Sequence, residues 1–160
     1  MHVHQSDRCG CVWATDGASA TLCDVDLSLS ARPAEFAVPR GPGAASGARD
    51  FVRGTLLRRG FRGDHEDVVL LASELVANVL RHTASEPVVR LVGDARSVRV
   101  EVFDASPLLP CTRVSGPSGG WGLVVVARLA RRWGVDPRPD GKVVWFELDA
   151  EVGAEDDPAA

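Results

Sequence analysis

The chain has 160 residues and a net charge of −4, with 45% hydrophobic and 25% charged residues, the size of one domain with extensions and an ordinary globular composition. The negative balance argues against a general nucleic-acid-binding surface, because phosphate contacts need a surplus of cations. No apolar run approaches the ~20 residues of a membrane span, and Met1 to Gly10 lacks the apolar stretch of a secretory signal, so no membrane association and a cytoplasmic location are expected.

Residues 1–33 show no sustained hydrophobic period and read as a flexible N-terminal extension. Three of the four cysteines (Cys9, Cys11 and Cys23, but not Cys111) fall in it. His2, His4, Cys9 and Cys11 could ligate zinc in principle, but a CxC beside two histidines lacks the second paired spacing of a structural zinc site. The domain proper is expected over residues 34–150. Glu35 to Pro39 alternates and predicts a short edge strand.

A helix is predicted from Ala44 to Arg59, with Ala48, Phe51, Val52, Thr55 and Leu56 at helical spacing and Gly60 at the cap position. The next helix has the plainest signal. Asp64 is placed to cap it, with Asp67 as a weaker capping-box partner. Val68, Val69, Leu71, Ala72, Leu75, Val76, Val79 and Leu80 give it a broad apolar face as far as His82.

Pro87–Val92 and Ser97–Phe103 alternate as strands around Gly93-Asp94-Ala95-Arg96, a hairpin signal. Asp104 to Gly120 is a long Pro/Ser/Gly segment. A loop of that length in a small domain usually carries function. A last helix is predicted from Gly122 to Trp133, with Leu123, Val125, Val126, Leu129, Ala130 and Trp133 on one arc and Arg128, Arg131 and Arg132 opposite. Trp133–Asp136 and Lys142–Leu148 read as strands around a Pro-Arg-Pro-Asp-Gly turn. Residues 151–160 are acidic and read as a disordered tail. The order strand, helix, helix, strand, strand, loop, helix, strand, strand predicts an α+β two-layer sandwich: a mixed, mostly antiparallel sheet with helices on one face.

Three places could carry chemistry. Glu74 and Asn78 lie one turn apart on the second helix, about 40° from each other around its axis, at the rim of the apolar arc. An amide oxygen there suits a hard cation such as Mg²⁺, and a carboxylate suits a general base. Asn78 is the single asparagine of the chain. Asp104 ends an apolar strand, where an acceptor could read the amino group of a base. Ser118-Gly119-Gly120-Trp121-Gly122 runs into a helix N-terminus, whose N–H groups suit a phosphate. It is neither a P-loop nor a dinucleotide fingerprint. Singly, each place reads equally as ordinary rim, turn or loop chemistry.

In this order the three resemble the N box and the two glycine boxes of the GHKL ATPase fold. The nearest likeness is to the anti-sigma-factor serine/threonine kinases of the RsbW/SpoIIAB type. The resemblance spans about Ala45 to Leu148. It rests on Glu74-Leu75-Val76-x-Asn78-x-x-x-His82, Asp104-x-Ser106-x-x-x-Pro110, Gly120-x-Gly122-Leu123 and the ending Trp133-Gly134-Val135…Gly141-Lys142-x-Val144-Trp145.

The resemblance implies ATP and Mg²⁺ as cofactors. Glu74 would be the catalytic base, Asn78 would hold Mg²⁺, and Asp104 would accept from the adenine amino group. Ser106 and Leu123 would line the nucleotide site, and the backbone at Gly120 and Gly122 would contact phosphates. Residues 107–118 would form a lid over ATP. Arg81 and His82 would lie near the phosphates or support the pocket, with packing as the role of His82. Two departures stand out: Ser106 replaces the usual glycine, and Val143 replaces a threonine whose hydroxyl would hold a water near adenine. The implied function is a serine/threonine kinase acting on a STAS-domain anti-anti-sigma protein and binding a sigma factor, with homodimerisation a further implication. The alternative is a non-catalytic partner-binding adaptor with a weak ATP site. A histidine-kinase catalytic fragment is disfavoured, because no pair of long dimerisation helices precedes the domain.

Overall fold

The computed structural model describes residues 2–5, 12–15, 32–106 and 121–150. Its elements in chain order are β1 (His2–Gln5), β2 (Val12–Thr15), β3 (Ala34–Ala37), α1 (Ala44–Arg59), α2 (His65–His82), β4 (Val88–Gly93), β5 (Ser97–Asp104), α3 (Trp121–Leu129), β6 (Arg132–Arg138) and β7 (Gly141–Asp149). β1 and β2 pair antiparallel as a separate two-stranded sheet. The sequence carried no periodic signal for them. Cys9, Cys11, Cys23, Cys111, the proposed lid at 107–118, Gly120 and the tail at 151–160 lie outside the described residues.

The main sheet has the order β3-β4-β5-β7-β6. Every pairing in it is antiparallel, in keeping with the mostly antiparallel sheet and one helical layer that the element order predicts. Its two faces follow from the period-2 alternation of strands. Val89 and Leu91 on β4, Val98, Val100 and Val102 on β5, and Val144 and Phe146 on β7 are buried on one face. The helices supply the second apolar layer: Ala48, Val52 and Leu56 from α1, Val68, Leu71, Ala72, Leu75, Val76 and Val79 from α2, and Leu123 and Val126 from α3. The opposite sheet face is charged. Arg99 bridges Glu101 (2.8 Å) and Glu147 (3.0 Å), and its guanidinium carbon lies 3.8 Å from the centre of the Trp145 ring.

Local chemistry explains the element ends. Asp64 Oδ1 accepts from the amides of Glu66 (2.7 Å) and Asp67 (3.1 Å), which satisfies donors that the first turn of α2 leaves open. Gly60 ends α1 in the left-handed region at φ 65°, with its amide and that of Phe61 returning to the carbonyls of Leu57 and Leu56. The third helix is shorter than its apolar arc predicted. Its last bond runs from Ala130 N to Val126 O (2.9 Å), and the next amide, Arg131 N, already donates to Glu147 O (2.9 Å). Trp133 is therefore not on α3. It sits on β6 opposite Phe146. Arg131 and Arg132 likewise leave the helix and pair with Asp149 and with Glu147 (2.9 Å). The fifth strand of the sheet outweighs one more helical turn, because it places Trp133 and Val135 against the core.

Candidate functional site

The middle of α2 meets the start of α3. Glu74 and Asn78 are both half-buried on α2, between the buried Leu71, Leu75 and Val79. Gly122, in the first turn of α3, is so close that a Cβ added there would stand 2.9 Å from Glu74 Oε2. The Glu74 carboxylate is thus held at the N-terminal end of α3, where backbone amides point outward and the dipole favours negative charge. Among the described residues, neither the Glu74 carboxylate nor the Asn78 amide has a hydrogen-bond partner. Both are polar groups at a rim with their capacity unspent. The set is all oxygen and amide, which fits a hard divalent cation shared with phosphates. Leu123 is buried beside them.

His82 ends α2 and is exposed, as is Arg81. Packing is therefore not the role of His82. Both residues lie in the last turn of α2, where the C-terminal carbonyls favour positive charge. Those carbonyls are met by Arg40, from the segment between β3 and α1. Its guanidinium donates to Leu80 O (2.7 Å), Thr83 O (3.0 Å) and Ser85 O (2.9 Å). The clasp fixes the turn that carries Ser85.

Ser85 leads to Asp104. The Ser85 hydroxyl donates to Asp104 Oδ1 (2.7 Å). The amide of Ser106 donates to the same oxygen (2.9 Å). Lys142 Nζ donates to Asp104 Oδ2 (2.6 Å) and to the carbonyl of Ser106 (2.9 Å). Asp104 and Lys142 are both buried, with side chains 3% and 4% exposed. Burial is the strongest single influence on Asp104 and pushes its carboxyl up. The hydrogen bonds from Lys142, Ser85 and Ser106, together with the Lys142 charge, more than reverse it and hold the group below its ordinary value.

The register corrects one expectation. Val143 pairs with Phe103 and with Asp136, whereas Asp104 pairs with Lys142. Alternation puts Val143 on the opposite face of the sheet from Asp104, so a hydroxyl at position 143 would not face the Asp104 carboxylate. The residue of β7 that does is Lys142. Sequence reasoning passed over it, along with Ser85 and Arg40. A signal for Lys142 existed: it is the single lysine of the chain, and it alternates in phase with Val144, Phe146 and Leu148, on what the pattern marks as an apolar face. A cation there needs a buried partner.

Gly141 makes the approach possible. It adopts φ 153°, and a Cβ would fall 2.2 Å from the carbonyl oxygen of Asp104. The end of β5 therefore lies directly against the start of β7.

The structure thus brings Glu74, Asn78, Gly122 and Leu123 together at the α2–α3 contact, and Asp104, Ser106, Ser85 and Lys142 together where β5 and β7 meet the end of α2. No helix among the described residues is long and apolar enough to cross a membrane.

Comparison with known proteins bears on the fold and the family. No curated protein sequence matches the chain. Among solved structures, the chain is similar to a crystal structure of the RsbU and RsbW domains of a Mycobacterium tuberculosis protein, at TM-score 0.52 and 22% identity over 75% of this chain and 33% of that one. The chain spans about a third of the length of that neighbour, and the likeness is one of fold. The model of the histidine kinase-like ATPase domain matches residues 38–148, from the residue after β3 to near the end of β7, and includes every described site residue. The chain belongs to the histidine kinase-like ATPase domain family.

Proposed function

We propose that the chain is an ATP-binding regulator that transfers the terminal phosphoryl group of ATP to a serine or threonine of a STAS-domain partner. The observation that carries this reading is the placement of Glu74: a half-buried carboxylate against Gly122 at the start of α3, one turn from Asn78, with no hydrogen-bond partner among the described residues.

In the proposed reaction the partner's hydroxyl oxygen attacks the γ-phosphorus in line. A new O–P bond forms, the β–γ bridging bond breaks, ADP leaves with the bridging oxygen, and Glu74 takes the hydroxyl proton. Asn78 would hold Mg²⁺, which supplies neutralisation of phosphate charge. The amides at the start of α3 would orient the phosphates. Asp104 would accept the amino group of adenine. A sigma factor and a second copy of this chain are further partners consistent with this reading.

The test is incubation with labelled ATP, Mg²⁺ and candidate STAS-domain proteins. Phosphate is expected on a partner serine or threonine. Glu74→Ala is expected to slow transfer by about 10²–10⁴-fold, the usual weight of a general base, while ATP binding persists. Calorimetry showing no nucleotide binding at millimolar ATP would sink the reading. A second reading is favoured by one observation, that Asp104 already takes three hydrogen bonds: the chain would then be an adaptor that binds partners and uses nucleotide weakly. Partner binding without phosphate transfer, unchanged in Glu74→Ala, is its expected outcome.

A further inference from the structure

Asp104 is expected to meet a base, yet its carboxylate is almost filled from within. An ionised carboxylate offers about four acceptor positions, two on each oxygen. Both positions on Oδ1 are taken, by the Ser85 hydroxyl and the Ser106 amide. One position on Oδ2 is taken by Lys142. Counting the described residues, a single position remains, and it lies on the oxygen that the ammonium already holds. Lys142 in turn has three N–H groups. One goes to Asp104 and one to the Ser106 carbonyl. Among the described residues the third has no partner. A donor and an acceptor thus stand side by side on two buried groups. Lys142 is the charged group acting on Asp104. Among the described residues Asp104 meets, from α2 and its following turn, the neutral Ser85 hydroxyl, and from beyond its own strand the Ser106 amide.

We propose that Lys142 is a specificity-determining residue of the nucleotide site, presenting with Asp104 a paired donor and acceptor to the edge of the base. The base class this pair fits is one with an amino group next to a ring nitrogen, as on the six-membered ring of adenine. The amino group donates to the open position on Asp104 Oδ2, and the adjoining ring nitrogen accepts the remaining N–H of Lys142. The same lysine keeps the carboxylate charged and fixed, so that the acceptor is already in place when the base arrives. This inference rests on the ATP-binding reading above and adds to it the group that reads the base.

The composition of the chain makes the test direct. Because Lys142 is the single lysine, protein labelled with ¹⁵N-lysine gives one side-chain ammonium signal. It would be followed by NMR, alongside the backbone amides, during titration with ADP and separately with magnesium tripolyphosphate. ADP is expected to shift the lysine signal at saturation. Tripolyphosphate is expected to move amides at the start of α3 and leave the lysine signal in place. Backbone amides that respond to ADP while the lysine signal stays unmoved would overturn the role of Lys142 and leave nucleotide binding standing. No response anywhere to ADP would overturn both. A variant gives a second readout: Lys142→Met is expected to weaken ADP binding at least tenfold. An affinity in Lys142→Met equal to that of the unaltered protein would also overturn the proposal.

Discussion

At the scale of single residues, the site is tight where the sequence looked loose. A glycine before a helix reads as freedom for a phosphate loop, and that is how Gly122 enters the sequence argument. In the structure its job is clearance. Its missing Cβ is the space that the Glu74 carboxylate occupies, 2.9 Å away at Oε2 and 3.4 Å at Cβ. Gly122→Ala should therefore separate stability from chemistry. Alanine raises helix propensity by roughly 1 kcal/mol, and the atom it meets is the far end of a flexible side chain, so the melting temperature should hold or rise slightly. The carboxylate must swing away, and a displacement of about 1 Å in a reacting group can cost about 10²-fold in rate. Thermal melts and the phosphate-transfer assay on the same preparation check this. A variant that loses stability but keeps full transfer would show that Gly122 serves packing alone. Asp104 and Lys142 differ in kind. The acceptor was legible as a strand-ending Asp; the buried lysine left a signal in its phase with Val144 and Phe146, but a cation at the start of a strand looks like an edge until the register shows which face it takes.

Elements were legible wherever one physical signal dominated. For α2 the cap, the apolar face and the basic last turn all agree, and the helix begins after Asp64 and ends at His82 as its pattern predicts. The hairpin of β4 and β5 was equally plain, because Asp94 and Gly93 mark its turn: Asp94 Oδ1 accepts from the amides of Arg96 (2.7 Å) and Ser97 (3.2 Å). Where two periods coexist, local pattern was not enough. Trp133 stands four residues after Leu129, which satisfies a helix, and two before Val135, which satisfies a strand. Only the partner strand decides between them, and Phe146 across the ladder does so. β1 and β2 are four residues each, too short for alternation to stand out from composition. The cap on α2 is the element-scale feature with the clearest consequence, since this helix carries both Glu74 and Asn78. Asp64→Ala removes the acceptor for two amides and should cost about 1 kcal/mol, or roughly 2–4 °C in melting temperature for a chain of this size. The cap lies ten residues from Glu74, so the affinity for nucleotide at 25 °C should stay the same. A melting temperature unchanged within error would mean that water replaces the cap at no cost.

At the scale of the whole molecule, the sheet separates two kinds of cohesion. Its helix-facing side is apolar and closes over the core. Its other side is a lattice of arginines and carboxylates, with Arg90 between Glu35 (3.5 Å) and Glu101 (3.4 Å) and Arg99 between Glu101 and Glu147. The Arg90 guanidinium is half-exposed, and its pairs add little each; the response of stability to acid should be dominated by the carboxylates whose protonation the fold resists. Two stand out. Asp94 is held below its ordinary value first by the amides of Arg96 and Ser97. Asp104 is held low by its hydrogen bonds and by Lys142, against its burial. A carboxyl with a depressed folded pKa binds protons more readily when unfolded. Its contribution is fully present above the unfolded value, near 3.9, and is lost as pH falls through the folded value. The urea midpoint should therefore be level from pH 7 to about 5 and drop steeply below it. Asp94→Asn keeps the side-chain oxygen that caps the turn but removes the charge, so it should be less stable at neutral pH and lose less on acidification. The remaining acid sensitivity would belong largely to Asp104, where protonation strands the ammonium of Lys142 in the core, the costliest way to break a buried pair. Urea titrations of both proteins between pH 7 and 2.5 measure this. Parallel curves for the unaltered protein and Asp94→Asn would remove the turn from the account, and a midpoint level down to pH 3 in the unaltered protein would remove both carboxylates.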